Sequence, residues 1–299
     1  MSRQLVFVHG RSQEKKNPDK LKREWLDALG KGLDKSGLEL PIETKAVRFP
    51  YYGDALMDLV ADVAPDLVAE IVVRGDGEDA ERLAFVTDVL EEARQQAGIT
   101  EADLRAEAGA EVVEKGPGNW EWVQGILRTI DKKFPKGAAR ALALVTVDVY
   151  DYLVDQSVKE VIDDGVAAAM TPGIETVVVG HSLGTVVIHS LLGDRGDSEG
   201  WLVPQFVTLG CPLGASRIKR ETRPPRFPSC VDAWLNAMDD RDTVALYPLT
   251  PEHFPVGDQA PRITNKTDVR NSTSNRHGIV GYLDDPVVAR TIYDALTAP

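Results

Sequence analysis

The chain opens on an apolar run, Leu5-Val6-Phe7-Val8, closed by His9-Gly10. Its length and β-branched content are those of a buried strand. Past a charged loop, Leu21, Trp25, Leu29 and Leu33 recur every four residues between Pro18 and Ser36, so they share one face of a helix. Gly37 stops that helix, and the alternation over 42–49 predicts a second strand ending at Pro50. Strand, helix, strand in this order is the unit of a parallel crossover.

From Gly53 to Met170 the period changes. The spacing predicts helices over 56–73, 80–97, 101–114, 120–134 and 138–169, separated by Gly75-Asp76-Gly77, Gly98, Gly116-Pro117-Gly118 and Pro135. No strand pattern interrupts this block of about 115 residues, the size of a small helical domain. Strand signals return at Thr176-Val177-Val178-Val179, and a helix begins near Leu183. Further strands are expected at 206–209, at 231–238 and over 262–265. A last amphipathic helix starts near Asp285-Pro286, with Val288, Ile292 and Leu296 on one face. The skeleton is α/β: a mostly parallel sheet flanked by helices, with a large helical insertion after the second strand. The expected core is 1–53 with 171–299, and the insertion is 54–170.

Composition narrows the function. The 299 residues carry 47 acidic and 34 basic side chains, a net charge of −13, with 43% hydrophobic residues. A negative field repels phosphate backbones, so a nucleic-acid partner is not expected. Cys211 and Cys230 are too few for a disulfide scaffold or a thiolate zinc site, and no His/Cys/carboxylate cluster has ligand spacing, so no metal is expected. Gly75-Asp76-Gly77 follows a helix-like segment and lacks the setting of a phosphate loop, so no nucleotide cofactor is expected either. Asp148 and Asp151 break the most apolar helical stretch, which argues against a transmembrane segment. With the first strand beginning at once, the expectation is a soluble cytoplasmic protein.

The chemistry centres on Gly180-His181-Ser182-Leu183-Gly184, set between an apolar strand and an apolar helix. Glycines at both ends allow a strained strand-to-helix turn that lifts the Ser182 hydroxyl above the sheet, beside the positive end of the helix. A serine nucleophile needs a histidine base held by a carboxylate. Of five histidines, His181 adjoins the serine and should point away from it, and His189 lies two turns along the same helix. His9 ends the first strand. His277, in a polar loop before the last helix, is the leading candidate base, and His253 is the alternate. For the acid, Asp242 ranks first, Asp239 second and Asp240 third, all just past a predicted strand. Two backbone N–H groups complete the set as an oxyanion hole: Leu183, after the serine, and Arg11, after His9-Gly10.

These segments resemble the α/β-hydrolase superfamily over residues 3–53 and 172–299. The residues that carry the likeness are Val6-Phe7-Val8-His9-Gly10, the serine pentapeptide, Thr208-Leu209-Gly210-Cys211-Pro212-Leu213-Gly214, Asp242-Thr243-Val244 and His277-Gly278. The serine turn together with the Thr-Leu-Gly-Cys-Pro-Leu-Gly run looks like the lipase and serine-esterase branch. The resemblance implies a hydrolase using Ser182, Asp242 and His277, with Arg11 and Leu183 as oxyanion donors; it is compatible with an insertion that serves as a lid, a dimerisation surface or a docking domain. No glycine run follows His9-Gly10, so the wider hole of bulky-alcohol esterases is not implied.

The expected activity is cleavage of a small-molecule or lipid carboxylic ester through an acyl-enzyme, with no cofactor. Acyl transfer, thioester cleavage and peptide cleavage would use the same groups. A non-enzymatic binding scaffold, with the insertion as partner surface, is the reading from another class. Trp120 with Trp122 and Tyr51 with Tyr52 are candidates to line an acyl tunnel, or simply to pack.

Overall fold

The computed structural model describes residues 3–10, 17–52, 80–117, 119–134, 136–222, 225–258 and 261–299. Alternation along the first strand, β1 (Gln4–Val8), sets the layers. Leu5 and Phe7 enter one apolar cluster and Val6 and Val8 another, because successive strand side chains point to opposite faces. Both faces are therefore covered, which is why the strand reads as a continuous apolar run. Val177, Val178 and Val179 behave in the same way.

Six parallel strands form one sheet among the described residues: β1, β2 (Val47–Arg48), β3 (Thr176–His181), β4 (Phe206–Leu209), β5 (Trp234–Ala237) and β6 (Thr264–Lys266). Their spatial order is β2-β1-β3-β4-β5-β6. The chain thus winds one way from β1 to β2 and the other way from β3 to β6. At such a reversal the loops leaving neighbouring strands diverge and open a crevice at the carboxyl ends.

Among the described residues eleven α-helices accompany the sheet: α1 (Pro18–Asp34), α2 (Ala80–Gln96), α3 (Glu101–Ala108), α4 (Ala110–Lys115), α5 (Trp120–Lys133), α6 (Ala138–Val154), α7 (Gln156–Ala167), α8 (Leu183–Arg195), α9 (Ser216–Glu221), α10 (Val280–Leu283) and α11 (Pro286–Thr297). Helices α1, α10 and α11 cover the Leu5/Phe7 face. The helices α2, α5, α6, α7 and α8 share one continuous core with the Val6/Val8 face, so the helical block between β2 and β3 packs into the same hydrophobic cluster as the sheet. No helix among the described residues is long and apolar enough to cross a membrane.

Several boundaries differ from the sequence expectation, each for a local reason. The strand expected over 42–49 shrinks to Val47–Arg48, because Thr44–Ala46 form a 3-10 turn. Lys22 Nζ donates to the Thr44 and Val47 carbonyls at 2.9 and 2.6 Å and holds that turn. The helix expected over 101–114 breaks at Gly109, whose φ of 94° leaves the helical region. The one expected over 138–169 breaks at Asp155, where the side chain accepts from the Ser157 and Val158 N–H groups. An N-cap there outcompetes continuation of the helix. The strands expected over 231–238 and 262–265 are Trp234–Ala237 and Thr264–Lys266. The helix expected over 56–73 and the Gly75-Asp76-Gly77 punctuation lie outside the described residues.

Two glycines of α1 make opposite predictions. A Cβ on Gly32 would stand 2.5 Å from the Leu283 carbonyl oxygen and 2.7 Å from Ala289 Cβ, where α1 crosses α10 and α11. Gly30, two residues earlier, has open space around the same position. Gly32→Ala should therefore destabilise by about 1–3 kcal/mol through overpacking, and Gly30→Ala should stabilise by about 0.5–1 kcal/mol through helix propensity. Urea unfolding of both variants checks this; shifts of the same sign would contradict the crossing geometry.

Candidate active site

Ser182 lies between β3 and α8, as the helix N-cap, with φ 56° and ψ −129°, a conformation that residues other than glycine rarely adopt. The neighbours enforce it. The Ser182 N–H donates to the Leu209 carbonyl at 3.0 Å, and its own carbonyl accepts from the Thr185 N–H at 2.9 Å. A Cβ on Gly184 would lie 2.3 Å from the Val8 carbonyl oxygen, and one on Gly180 would lie 3.0 Å from the Gly184 carbonyl oxygen. Only glycine lets α8 start this close to the β1 backbone.

The strained turn aims the serine at His277. Its Oγ lies 2.9 Å from His277 Nε2, and His277 Nδ1 lies 2.8 Å from Asp242 Oδ2. An ionised carboxylate only accepts, so Nδ1 carries the proton and Nε2 accepts from the serine hydroxyl. Asp242 is held in turn: its Oδ1 accepts from the Val244 N–H at 2.9 Å, and Tyr282 donates its hydroxyl to Oδ2 at 2.6 Å. Gly210, at φ +57°, lies beneath this pair. A Cβ there would be 3.1 Å from the His277 ring and 3.2 Å from Asp242 Oδ2.

The other candidates are placed elsewhere. Asp239 is buried and accepts from Arg241 Nε and Nη2 at 2.8 and 2.6 Å, and from the Asn271 N–H at 2.8 Å. Burial pushes its carboxyl up, but these donors outweigh it and hold Asp239 below the usual carboxylate value. It ties the loop after β5 to the loop that carries His277. Asp240 is an exposed charge 3.6 Å from Arg241. His253, the alternate base, stacks on Tyr247 at 4.3 Å between ring centres, so the structure uses it for packing instead.

His181 has a task that the sequence concealed. Its Nε2–H donates to the His277 backbone carbonyl at 2.7 Å, with the two rings 4.8 Å apart. Tyr282 is the other residue missed by sequence reasoning; a lone phenol in the apolar stretch Ile279-Val280-Gly281-Tyr282-Leu283 was the only signal. His189 packs in the core, 5.6 Å from the Trp234 ring.

Of the two oxyanion candidates, Leu183 is the first residue of α8, where N–H groups have no acceptor within the helix. Arg11 lies outside the described residues. Gly10 is described, and a Cβ there would stand 2.7 Å from Ser182 Cβ, so the β1 loop passes against the serine. His9 accepts from the Tyr52 N–H through Nε2 and lies with Nδ1 2.7 Å from the Gly10 carbonyl, which its Nδ1–H therefore reaches. A cavity of about 350 Å³ opens over Ser182 and His277. None of Trp120, Trp122, Tyr51 and Tyr52 lines it; Tyr52 stacks on His9 and Trp122 is buried in the helical core.

No family model and no curated protein matches the chain. The likeness to α/β-hydrolases rests on the quoted motifs and on an α/β fold with a parallel sheet, which is compatible with it. Cys211 and Cys230 are both free thiols, and burial pushes each up to about 11. No group of three or more His, Cys, Asp and Glu side chains among the described residues is arranged to hold a metal ion.

Two buried imidazoles make the stability sensitive to acid. Burial, reinforced by neighbouring His277, holds His181 well below the ordinary value of 6.5, and burial lowers His189 to about 4. Above neutrality both states are unprotonated and the contribution is complete. As pH falls from 7 toward 5 the unfolded chain takes up protons that the folded chain refuses. Stability should therefore fall over that window by up to about 1.4 kcal/mol per pH unit for each imidazole. Denaturant titrations at three pH values measure the slope; a flat or rising stability would contradict it.

Proposed function

We propose that the protein is a serine hydrolase that cleaves carboxylic esters through an acyl-enzyme on Ser182. One observation carries the reading. A serine held at positive φ is hydrogen-bonded to a histidine, which is hydrogen-bonded to a buried carboxylate, in one chain of 2.9 and 2.8 Å. Backbone strain of this kind is unfavourable and clusters where geometry serves chemistry. The location agrees, since loops at the carboxyl ends of β1 and β3 meet at the reversal of strand order.

In this reading His277 Nε2 takes the hydroxyl proton as Ser182 Oγ bonds to the ester carbonyl carbon. The carbonyl oxygen becomes an oxyanion facing the Leu183 N–H, with the N–H of residue 11 as the proposed second donor. Collapse breaks the ester C–O bond, and His277 gives its proton to the leaving alcohol. Water then attacks the acyl-enzyme, its proton passing through His277 back to Ser182 Oγ as the acid departs. Asp242 stabilises the imidazolium in both halves without taking the proton. We read the sheet as an α/β-hydrolase core (1–53 and 171–299) and the helices of 54–170 as its cap, because α6 supplies Ala141, Leu144 and Val145 to the cavity wall.

A fluorophosphonate probe, read by intact mass and peptide mapping, tests the proposal. It should label Ser182 in the native protein, and Ser182→Ala and His277→Ala should abolish labelling. Activity on short acyl esters should fall on the order of 10⁴-fold or more in both variants. A folded protein that stays unlabelled, even in mild detergent, would overturn the enzyme reading in favour of a binding scaffold.

Tyr282 enters as a positioning residue. Removing its hydroxyl leaves more charge on Asp242 Oδ2 for the imidazolium and frees the carboxylate to move. Tyr282→Phe should lower kcat about ten-fold and shift the acid limb of the kcat/KM profile to higher pH. An unshifted profile would reduce Tyr282 to packing.

A further inference from the structure

The cavity over Ser182 has two unlike sides. Ala141, Leu144, Val145 and Ile279 form an apolar wall, while Lys136 and Arg140 bring two cations to the same opening, four residues apart at the start of α6. Lysines that flank this segment in sequence are paired: Lys115 with Glu121, Lys132 with Glu107 and Lys133 with Asp103. Lys136 and Arg140 have no such carboxylate partner among the described residues. In a chain with 13 more acidic than basic side chains, two unneutralised cations at the mouth of the reactive cavity stand out from the overall field. A cleft with low-dielectric walls focuses the potential of such a pair onto what enters it. The guanidinium fork and the ammonium point charge together suit a carboxylate or phosphate.

We propose that the ester cleaved at Ser182 carries an anionic group, held by Lys136 and Arg140 while its carbonyl sits between Ser182 and the oxyanion donors. The proposal rests on the serine-hydrolase reading and adds the substrate class to it. The apolar wall takes the uncharged part of the substrate. The anion raises occupancy and orients the ester.

Matched esters test it. Para-nitrophenyl hemiglutarate against its methyl ester places the charge on the acyl side, and para-acetoxybenzoate against its methyl ester places it on the alcohol side. At low ionic strength the charged member of at least one pair should have a kcat/KM about ten-fold higher, the size expected of partly screened charges. That ratio should fall toward one in half-molar salt and in the double variant Lys136→Gln/Arg140→Gln, and should invert in Lys136→Glu/Arg140→Glu. Both side chains are exposed, so these variants retain the fold. If Ser182 labels with fluorophosphonate and the neutral esters turn over, but neither charged ester is preferred, the anionic substrate is wrong and the hydrolase stands. A preference that survives the double substitution also overturns it. No labelling and no turnover of any ester would bring down both readings together.

Discussion

The site depends on how closely two parallel backbones approach. Strand β3 lies beside β1 in a register that pairs Val8 with Gly180, so the chain leaving β3 must turn upward within van der Waals reach of the chain leaving β1. A Cβ at Gly184 would enter the Val8 carbonyl, and one at Gly10 would collide with Ser182 Cβ. Between these glycines the serine keeps its side chain in a backbone conformation costing on the order of 1–3 kcal/mol. The buried sheet on either side offsets that cost: Val6, Val8, Val178 and Val179 are wholly inaccessible to solvent. The geometry of Ser182 is thus a by-product of sheet packing rather than of the loop's own preference.

Two aspartates three residues apart divide the remaining work. Asp242 faces inward and receives an imidazole, a phenol and a backbone N–H. Asp239 faces the Arg241 fork and the Asn271 N–H, and so fastens one loop to the next. Asn271 continues the fastening through its Nδ2, which donates to the Gly278 carbonyl at 2.9 Å, one residue past the histidine. His181 holds the histidine's own carbonyl. The ring is therefore fixed from its backbone and from its far nitrogen at once, which leaves Nε2 little freedom except toward the serine.

What the sequence makes legible follows from where the information is local. The β1 and β3 runs and the serine turn are contiguous, and their apolar residues and glycines announce a doubly covered sheet and a strained corner. The polar loop of His277 and the acids past β5 could be ranked but not distinguished, since Asp239 and Asp242 differ in which neighbour each faces, not in chain position. Tyr282 and His181 act through contacts 40 and 96 residues away, and nothing beside them in the chain reports such partners. The breaks at Gly109 and Asp155 were hidden for a different reason: helical periodicity continues across both, and a single cap or a single positive φ decides the ending.

The strand order carries a consequence for when the molecule becomes itself. Strand β1 is made before β3, the neighbour that locks it inside the sheet and that arrives only after the whole helical block; Arg3 and Glu175, bridged beside that pairing, are 172 residues apart. Closing so long a loop costs entropy before any contact repays it, and topologies dominated by distant pairings mature slowly. Histidine 277 follows later still, 95 residues beyond the serine. On the ribosome, then, the emerging polypeptide holds a serine whose hydroxyl has no imidazole beside it until residue 277 has been added.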